Sequence, residues 1–287
     1  MIELFKKSVA GAFGVTSAVF AFVPEKFFHA VKWIPAQAMT KSIVERGISD
    51  IEVDIVISRI LCFVVIWCVT TLLYGIYRTL RKSVKIKGTN YTILVKYGNL
   101  LDEKNCKRVI SFDECYTVQI GKNPCDVKPK SLCGQYLLKQ GRNVNIQKLI
   151  ERSQVRPEIR TSRFQNKLSY KPGSIVANNE ELLMAFATLD ENGKARFLAL
   201  DEYIECLETM WKQIELNCAQ QDVCVPILGS GLTKFESGNG ASLSQQELLD
   251  LMIWSYKLSP HKVKTPYRLR IICRKREGFS LNNIDGI

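Results

Sequence analysis

Two long uncharged stretches stand at the start of the chain, and short alternating runs fill the rest. Residues 8–23 (SVAGAFGVTSAVFAFV) and 60–77 (ILCFVVIWCVTTLLYGIY) carry no charge. A helix rises about 1.5 Å per residue, so roughly 20 apolar residues cross a bilayer core of ~30 Å. The second run approaches that length, and Arg59 and Arg78 bracket it where their stems can reach an interface. It reads as a transmembrane helix. The first run is shorter and ends at Pro24. Lys6 and Lys7 ahead of it also fit a signal peptide, but Phe20, Phe22 and Val23 stand where a small-residue cleavage site would be. Ala10, Gly14 and Ala18 recur every four residues, a smooth ridge that lets another helix approach. The expectation is an N-terminal transmembrane region, 1–83, with spans at about 8–24 and 60–77.

Basic residues set its orientation. Arg78, Arg81, Lys82, Lys85 and Lys87 follow the second run, and Lys6 and Lys7 flank the first. Positive flanks stay on the cytosolic side, so a multi-pass protein is expected with both termini and the C-terminal domain in the cytoplasm. The connection 24–59 has Phe27, Phe28, Val31 and Ile34 at helical spacing. It fits a helix lying on the membrane surface and equally a solvent-exposed helical loop.

From about Val84 to the end, 84–287, the period changes. Residues 91–95 (YTILV) and 108–112 (RVISF) have strand composition, and 182–189, 223–228 and 267–273 read as buried strands. Between the last three lie two helices. In 201–218, Ile204, Leu207, Trp211 and Ile214 share a face, with Asp201 the expected N-cap. In 244–257, Ser244 and Glu247 have the spacing of a capping box. Strand and helix in alternation predict an α/β fold with a mixed sheet flanked by helices.

Composition changes this picture in two places. A net charge of +12 on 287 residues invites nucleic acid, yet part of the excess is the cluster beside the second span. Another part (Arg152, Arg156, Arg160, Arg163, Lys167, Lys171) lacks interleaved aromatic platforms. A solvated face or an acidic-lipid contact accounts for that stretch better, and no nucleic-acid partner is expected. The ten cysteines have no zinc-knuckle spacing, and only His29 and His261 exist, so no metal site is expected. The cysteines read as reduced core residues of a cytosolic compartment.

The informative loop is 226–233 (PILGSGLT), after a buried strand and before a helix, where open α/β sheets place ligands. Gly229 and Gly231 flank Ser230 and allow a turn whose N–H groups converge on phosphate oxygens. A sharp turn chosen for geometry alone is the plainer reading of a lone GxG.

The succession of GNLL (Gly98, Asn99, Leu100, Leu101), VISFDECY (109–116) and VPILGSGLTKF (225–235) resembles a divergent macro domain over residues 84–287. Macro domains bind ADP-ribose. The resemblance implies ligand contacts from Asn99, Leu100, Asp113, Glu114, Gly229, Ser230, Gly231, Leu232 and Thr233, with no catalytic residue and no cofactor. Asn99 replaces the family's adenine-binding acid, and Asp113-Glu114 replaces an asparagine-rich loop. Ordinary ADP-ribosyl-hydrolase chemistry is thereby put in doubt, and the ligand becomes an ADP-ribose derivative, with the histidine conjugate a candidate. A membrane region ahead of such a domain resembles the transmembrane macro effectors of Thoeris-type antiphage defence. There a TIR-domain enzyme consumes NAD to make the signal, and the effector damages the bacterial inner membrane. Residues 130–137 (KSLCGQYL), with Gly134 and Gln135 as further contacts, look like that group. The implied partners are the signal nucleotide, the TIR-domain enzyme, membrane lipids and further copies of the chain. The alternative is a membrane-anchored ADP-ribosyl hydrolase using Asp113 or Glu114.

Overall fold

The computed structural model describes residues 2–23, 50–140, 145–197, 199–231, 234–235 and 243–284. The chain divides into two compact units, Met1–Arg81 and Lys82–Ile287.

The first unit holds α1 (Ile2–Phe22) and α2 (Asp50–Leu80). Within α2, Ser58–Leu80 has a mean hydropathy of 2.2 and an apolar window with no buried share. Leu72, Leu73 and Leu80 are each more than half exposed. A core helix of a water-soluble domain hides one stripe, and α2 hides very little. It is long and apolar enough to cross a bilayer, the one such helix among the described residues. The apolar part of α1 is only Val9–Phe22, about 21 Å of helix against a ~30 Å core. Ser58–Leu80 of α2 has the length and composition of a span, and the apolar part of α1 is shorter than one. The helices meet through Ala12, Thr16 and Ser58, all buried, and the Phe13 and Phe63 rings lie 5.1 Å apart. Ala10, Gly14 and Ala18, the predicted ridge, are exposed instead. The surface reading of residues 24–59 falls mostly outside the described residues, and from Asp50 the chain is already helical.

The second unit is a mixed sheet between two helical layers. Its strands are β1 (Ser83–Lys87), β2 (Thr92–Tyr97), β3 (Cys106–Asp113), β4 (Ile175–Asn178), β5 (Glu181–Leu189), β6 (Ala195–Phe197), β7 (Asp222–Pro226), β8 (Lys234–Phe235) and β9 (Leu269–Cys273). They run in the order β1-β2-β9-β7-β3-β5-β6-β8, with β4 also on β5. The middle five, β2, β9, β7, β3 and β5, are mutually parallel. Their C-termini therefore share one edge.

Side chains alternate across this sheet as the strand period requires. Val109, Leu182, Met184, Val223, Val225 and Ile271 face one layer, α5 (Leu200–Asn217) and α6 (Gln245–Leu258). Ile110, Phe112, Leu183, Ala185, Cys224 and Ile272 face the other, α3 (Leu132–Gln140) and α4 (Ile146–Arg152). Burial on both faces explains why β5 reads as an unbroken apolar run. The Trp211 and Tyr256 rings join α5 to α6 at 4.9 Å, and the Trp211 indole donates to Ser255 Oγ at 2.9 Å.

Helix starts follow the sequence in one case and depart in the other. Ser244 and Glu247 form the predicted reciprocal capping box. Asp201, the expected N-cap of α5, lies inside its first turn, and Ala199 takes the cap position without a side-chain bond. A carboxylate there still complements the positive helix start.

Candidate functional site

At the shared C-terminal edge the sheet opens into a cleft of about 870 Å³, within the range of cofactor and ligand pockets. Gly98 follows β2, Asp113 ends β3, Ala187 and Leu189 end β5, Pro226 ends β7 with residues 227–231 after it, and Ile272 lies near the end of β9 with Arg274 just beyond. Two segments distant in sequence close it. One runs from Lys122 to Cys133, and the other is the Gly193–Arg196 turn before and into β6.

The glycine loop is held from below and open above. Gly229 has φ +76°, a left-handed conformation that disfavours other residues. Tyr203 Oη on α5 donates to the Leu228 carbonyl at 3.2 Å, and Ser230 Oγ donates to the Ile227 carbonyl at 2.8 Å. The Arg276 guanidinium donates to the Ser230 carbonyl. With these acceptors engaged, the Gly229 and Gly231 N–H groups have no partner among the described residues. A Cβ at Gly231 would meet nothing within 4 Å among the described residues. Leu232 and Thr233 lie outside the described residues.

Charge on the walls is one-sided. Among the described residues, Lys122, Lys128, Lys130, Lys194, Arg196, Arg274 and Arg276 line the cleft against Asp113 and Asp126. Some are already engaged: Lys128 Nζ donates to the Lys122 carbonyl at 3.0 Å, and Arg196 pairs with Asp190 at 2.7 Å. Lys122, Lys130, Lys194 and Arg274 have no carboxylate within salt-bridge reach among the described residues. Such a surface attracts an anionic guest.

The two acids after β3 part company. A register shift between Phe112 and Asp113 turns the strand end, and Asp113 comes to line the cleft. Its Oδ1 accepts the Cys115 and Thr117 N–H groups at 2.9 and 3.1 Å. Burial pushes this carboxyl above its ordinary value, while those N–H bonds and Lys167 pull it back. Glu114, expected at the ligand, points away. Its Oε1 accepts the Leu189 N–H at 3.0 Å and the Ser162 hydroxyl, and it is buried. Glu114 fastens the 157–170 loop to the sheet and does not line the cleft.

Other predicted contacts divide in the same way. Leu100 lines the cleft from a short 3₁₀ turn. Asn99 does not; its Nδ2 donates to Asp102 Oδ2 at 3.1 Å. Gly134 and Gln135 are also absent from the wall. A Cβ on Gly134 would sit 2.2 Å from the Lys128 carbonyl oxygen, so glycine is there to let α3 touch the preceding loop. Gln135 Nε2 donates to the Lys130 carbonyl at 2.9 Å. Both support the basic wall from behind. The wall itself, with Lys122, Lys130, Lys194 and Arg274, had no local sequence signal beyond isolated basic residues in loops.

A parallel-centred α/β sheet with a basic cleft and an open glycine turn at its strand ends defines a ligand-binding domain of open-sheet type. The family model described as "Thoeris protein ThsA, Macro domain" matches residues 93–274, and the chain belongs to that family. It is 26% identical over 196 residues to "Thoeris protein ThsA" of Bacillus amyloliquefaciens (strain Y2), covering 66% of this chain and 64% of that protein. Among solved structures it is similar to an Oceanobacillus iheyensis macrodomain variant with ADPR, at 11% identity and a TM-score of 0.42, covering 68% of this chain and 91% of the other. The same organism's macrodomain with ADP aligns at 10% identity and a TM-score of 0.38, over 68% and 89% of the two chains.

Proposed function

We propose that the second unit binds an ADP-ribose-derived signal nucleotide in antiphage defence, and that the first unit anchors it in the bacterial inner membrane and perturbs that membrane on binding. The observation that carries the reading is the glycine loop. Its Gly229 and Gly231 N–H groups are unpartnered among the described residues, at the floor of a cleft with four unneutralised cations. A diphosphate supplies the acceptors and the negative charge that such a loop lacks. The named relative from the Thoeris system supports the biological setting.

Within this reading Leu100, Ile227 and Ile272 give the apolar floor for a base or ribose, and Asp113 meets a ligand hydroxyl. α2 is the span, with Arg78, Arg81 and Lys82 on the cytosolic side. The short apolar part of α1 fits packing along α2 better than a crossing of its own. A signal drives this effector only to the extent that it binds the active arrangement better than the resting one. Further copies of the chain and a TIR-domain enzyme that supplies the nucleotide complete the proposal.

Calorimetric titration of the full chain in detergent with ADP-ribose and its histidine conjugate tests the site. Saturable binding that disappears in Gly231→Glu is expected; absence of binding, or binding indifferent to that change, defeats the reading. Protease protection in inverted vesicles tests the topology, with cleavage of the second unit only where the cytosolic face is exposed.

A hydrolase reading retains one observation in its favour, the raised carboxyl of Asp113 on the cleft wall. Release of ADP-ribose from an ADP-ribosylated protein, lost in Asp113→Ala, would replace binding with catalysis.

A further inference from the structure

The nucleotide reading leaves the basic loop between α4 and β4 unused. It is an ordered hairpin. Pro157 and Tyr170 pair antiparallel, and the Glu158 N–H donates to the Ser169 carbonyl at 2.8 Å. Beyond that pair the chain bends at Ile159 and Arg160, and the Ser162 N–H donates to the Lys167 carbonyl at 2.9 Å. Its base is fastened by the Ser162 hydroxyl on the buried Glu114 and by the Tyr170 ring against Tyr116 at 5.4 Å. Phe164 is buried as well.

A loop held this firmly has no need to show apolar side chains, yet it shows two. Ile159 has a relative exposure of 106% and Leu168 of 56%. Around them Arg156, Arg160, Arg163 and Lys167 are all exposed, with Glu158 the one acid between Pro157 and Tyr170. Isolated exposed apolar residues need no explanation. Two exposed apolar side chains on one ordered loop among four exposed cations do, because they join the two signals that hold proteins to anionic membranes: apolar insertion and headgroup attraction.

We infer that the 157–170 hairpin docks on an anionic lipid surface, with Ile159 and Leu168 among the acyl chains and Arg156, Arg160, Arg163 and Lys167 on the headgroups. The bilayer is the favoured partner because the same chain carries α2, a helix apolar and long enough to lie in one. RNA is less well served, since Phe164, the single aromatic residue between Pro157 and Ser169, is buried and so offers no stacking platform. The inference is independent of what fills the cleft.

The test is amide hydrogen exchange on the full chain in nanodiscs of phosphatidylcholine alone, or of phosphatidylcholine with one third phosphatidylglycerol. Exchange across 157–170 is expected to slow on the order of ten-fold in the anionic discs and to revert at high salt. The double substitution Ile159→Ser and Leu168→Ser should abolish the slowing, as should Arg160→Glu with Arg163→Glu. All four positions are exposed, so the fold is preserved, and unchanged protection elsewhere in the second unit checks this. Equal exchange in both discs overturns the inference. So does protection by single-stranded RNA with none from the anionic discs.

Discussion

The two edges of the parallel sheet handle charge in opposite ways. At the strand starts three arginines meet carboxylates. Arg108 on β3 pairs with Glu181 on β5 at 2.7 Å, Arg268 reaches Asp222 on β7 at 3.0 Å, and Arg270 binds Asp222 and also Glu103 at 3.4 Å. At the strand ends Lys122, Lys130, Lys194 and Arg274 ring the cleft without such partners among the described residues. Partly buried charge is costly unless compensated, so the first edge compensates internally and serves as scaffold. The four cations of the other edge are exposed and stay solvated, which leaves them available to an anion.

The contrast can be broken from the scaffold side first. Asp222→Ala removes the carboxylate that Arg268 and Arg270 share and leaves Arg270 with Glu103 alone; breaking a buried pair costs about 3–5 kcal/mol, and the exposure of Arg268 brings the expected loss to the lower end of that range. Chemical denaturation should show a drop of that order. If stability is unchanged, the edge is not scaffold. From the cleft side, Gly231→Glu puts a carboxylate where phosphate is proposed to sit. Nucleotide affinity should fall on the order of 100-fold while the melting temperature holds, because a Cβ there would meet nothing within 4 Å among the described residues. Smaller effects come from the rim. Lys130→Ala or Lys194→Ala should each weaken binding only a few-fold, about 1 kcal/mol or less, and flatten its salt dependence; calorimetry across ionic strengths reads both.

The smallest effect is a pH slope. Burial raises the Asp113 carboxyl in the folded state above an unfolded value of about 3.9. Its contribution is therefore complete below that unfolded value and is lost as pH rises through the folded one. Asp113→Asn keeps a carbonyl to accept the Cys115 and Thr117 N–H groups but cannot ionise. Thermal melts from pH 3 upward should show the wild-type chain losing ground relative to this variant over that window. Parallel curves would mean that the cleft solvates the carboxylate.

β5, β7, α5 and α6 have their expected positions within a residue or two, the strands because they are unbroken apolar runs and the helices because each carries a buried stripe. β6, β8 and α4 were not legible: the strands are two or three residues long, and α4 is short with a polar outer face. The glycine loop was also legible, being a local turn at the end of a buried strand. The basic rim was not. Lys122, Lys130 and Lys194 come together only because distant segments pack, as Gly193 does against Cys125, where an added Cβ would lie 2.5 Å from the cysteine's own. Asp113 and Glu114 show the finer limit: neighbours in sequence, they are divided by a register shift that composition does not reveal.

At position 134 a lone hydrogen has a long reach. Any larger side chain would press the 128–129 peptide away from α3 and carry Lys128 and Lys130 across the mouth of the cleft, towards or away from the turn at 229–231. On the proposed reading, the absent methyl therefore sets the distance that a guest would bridge between the 128–130 loop and the turn at 229–231.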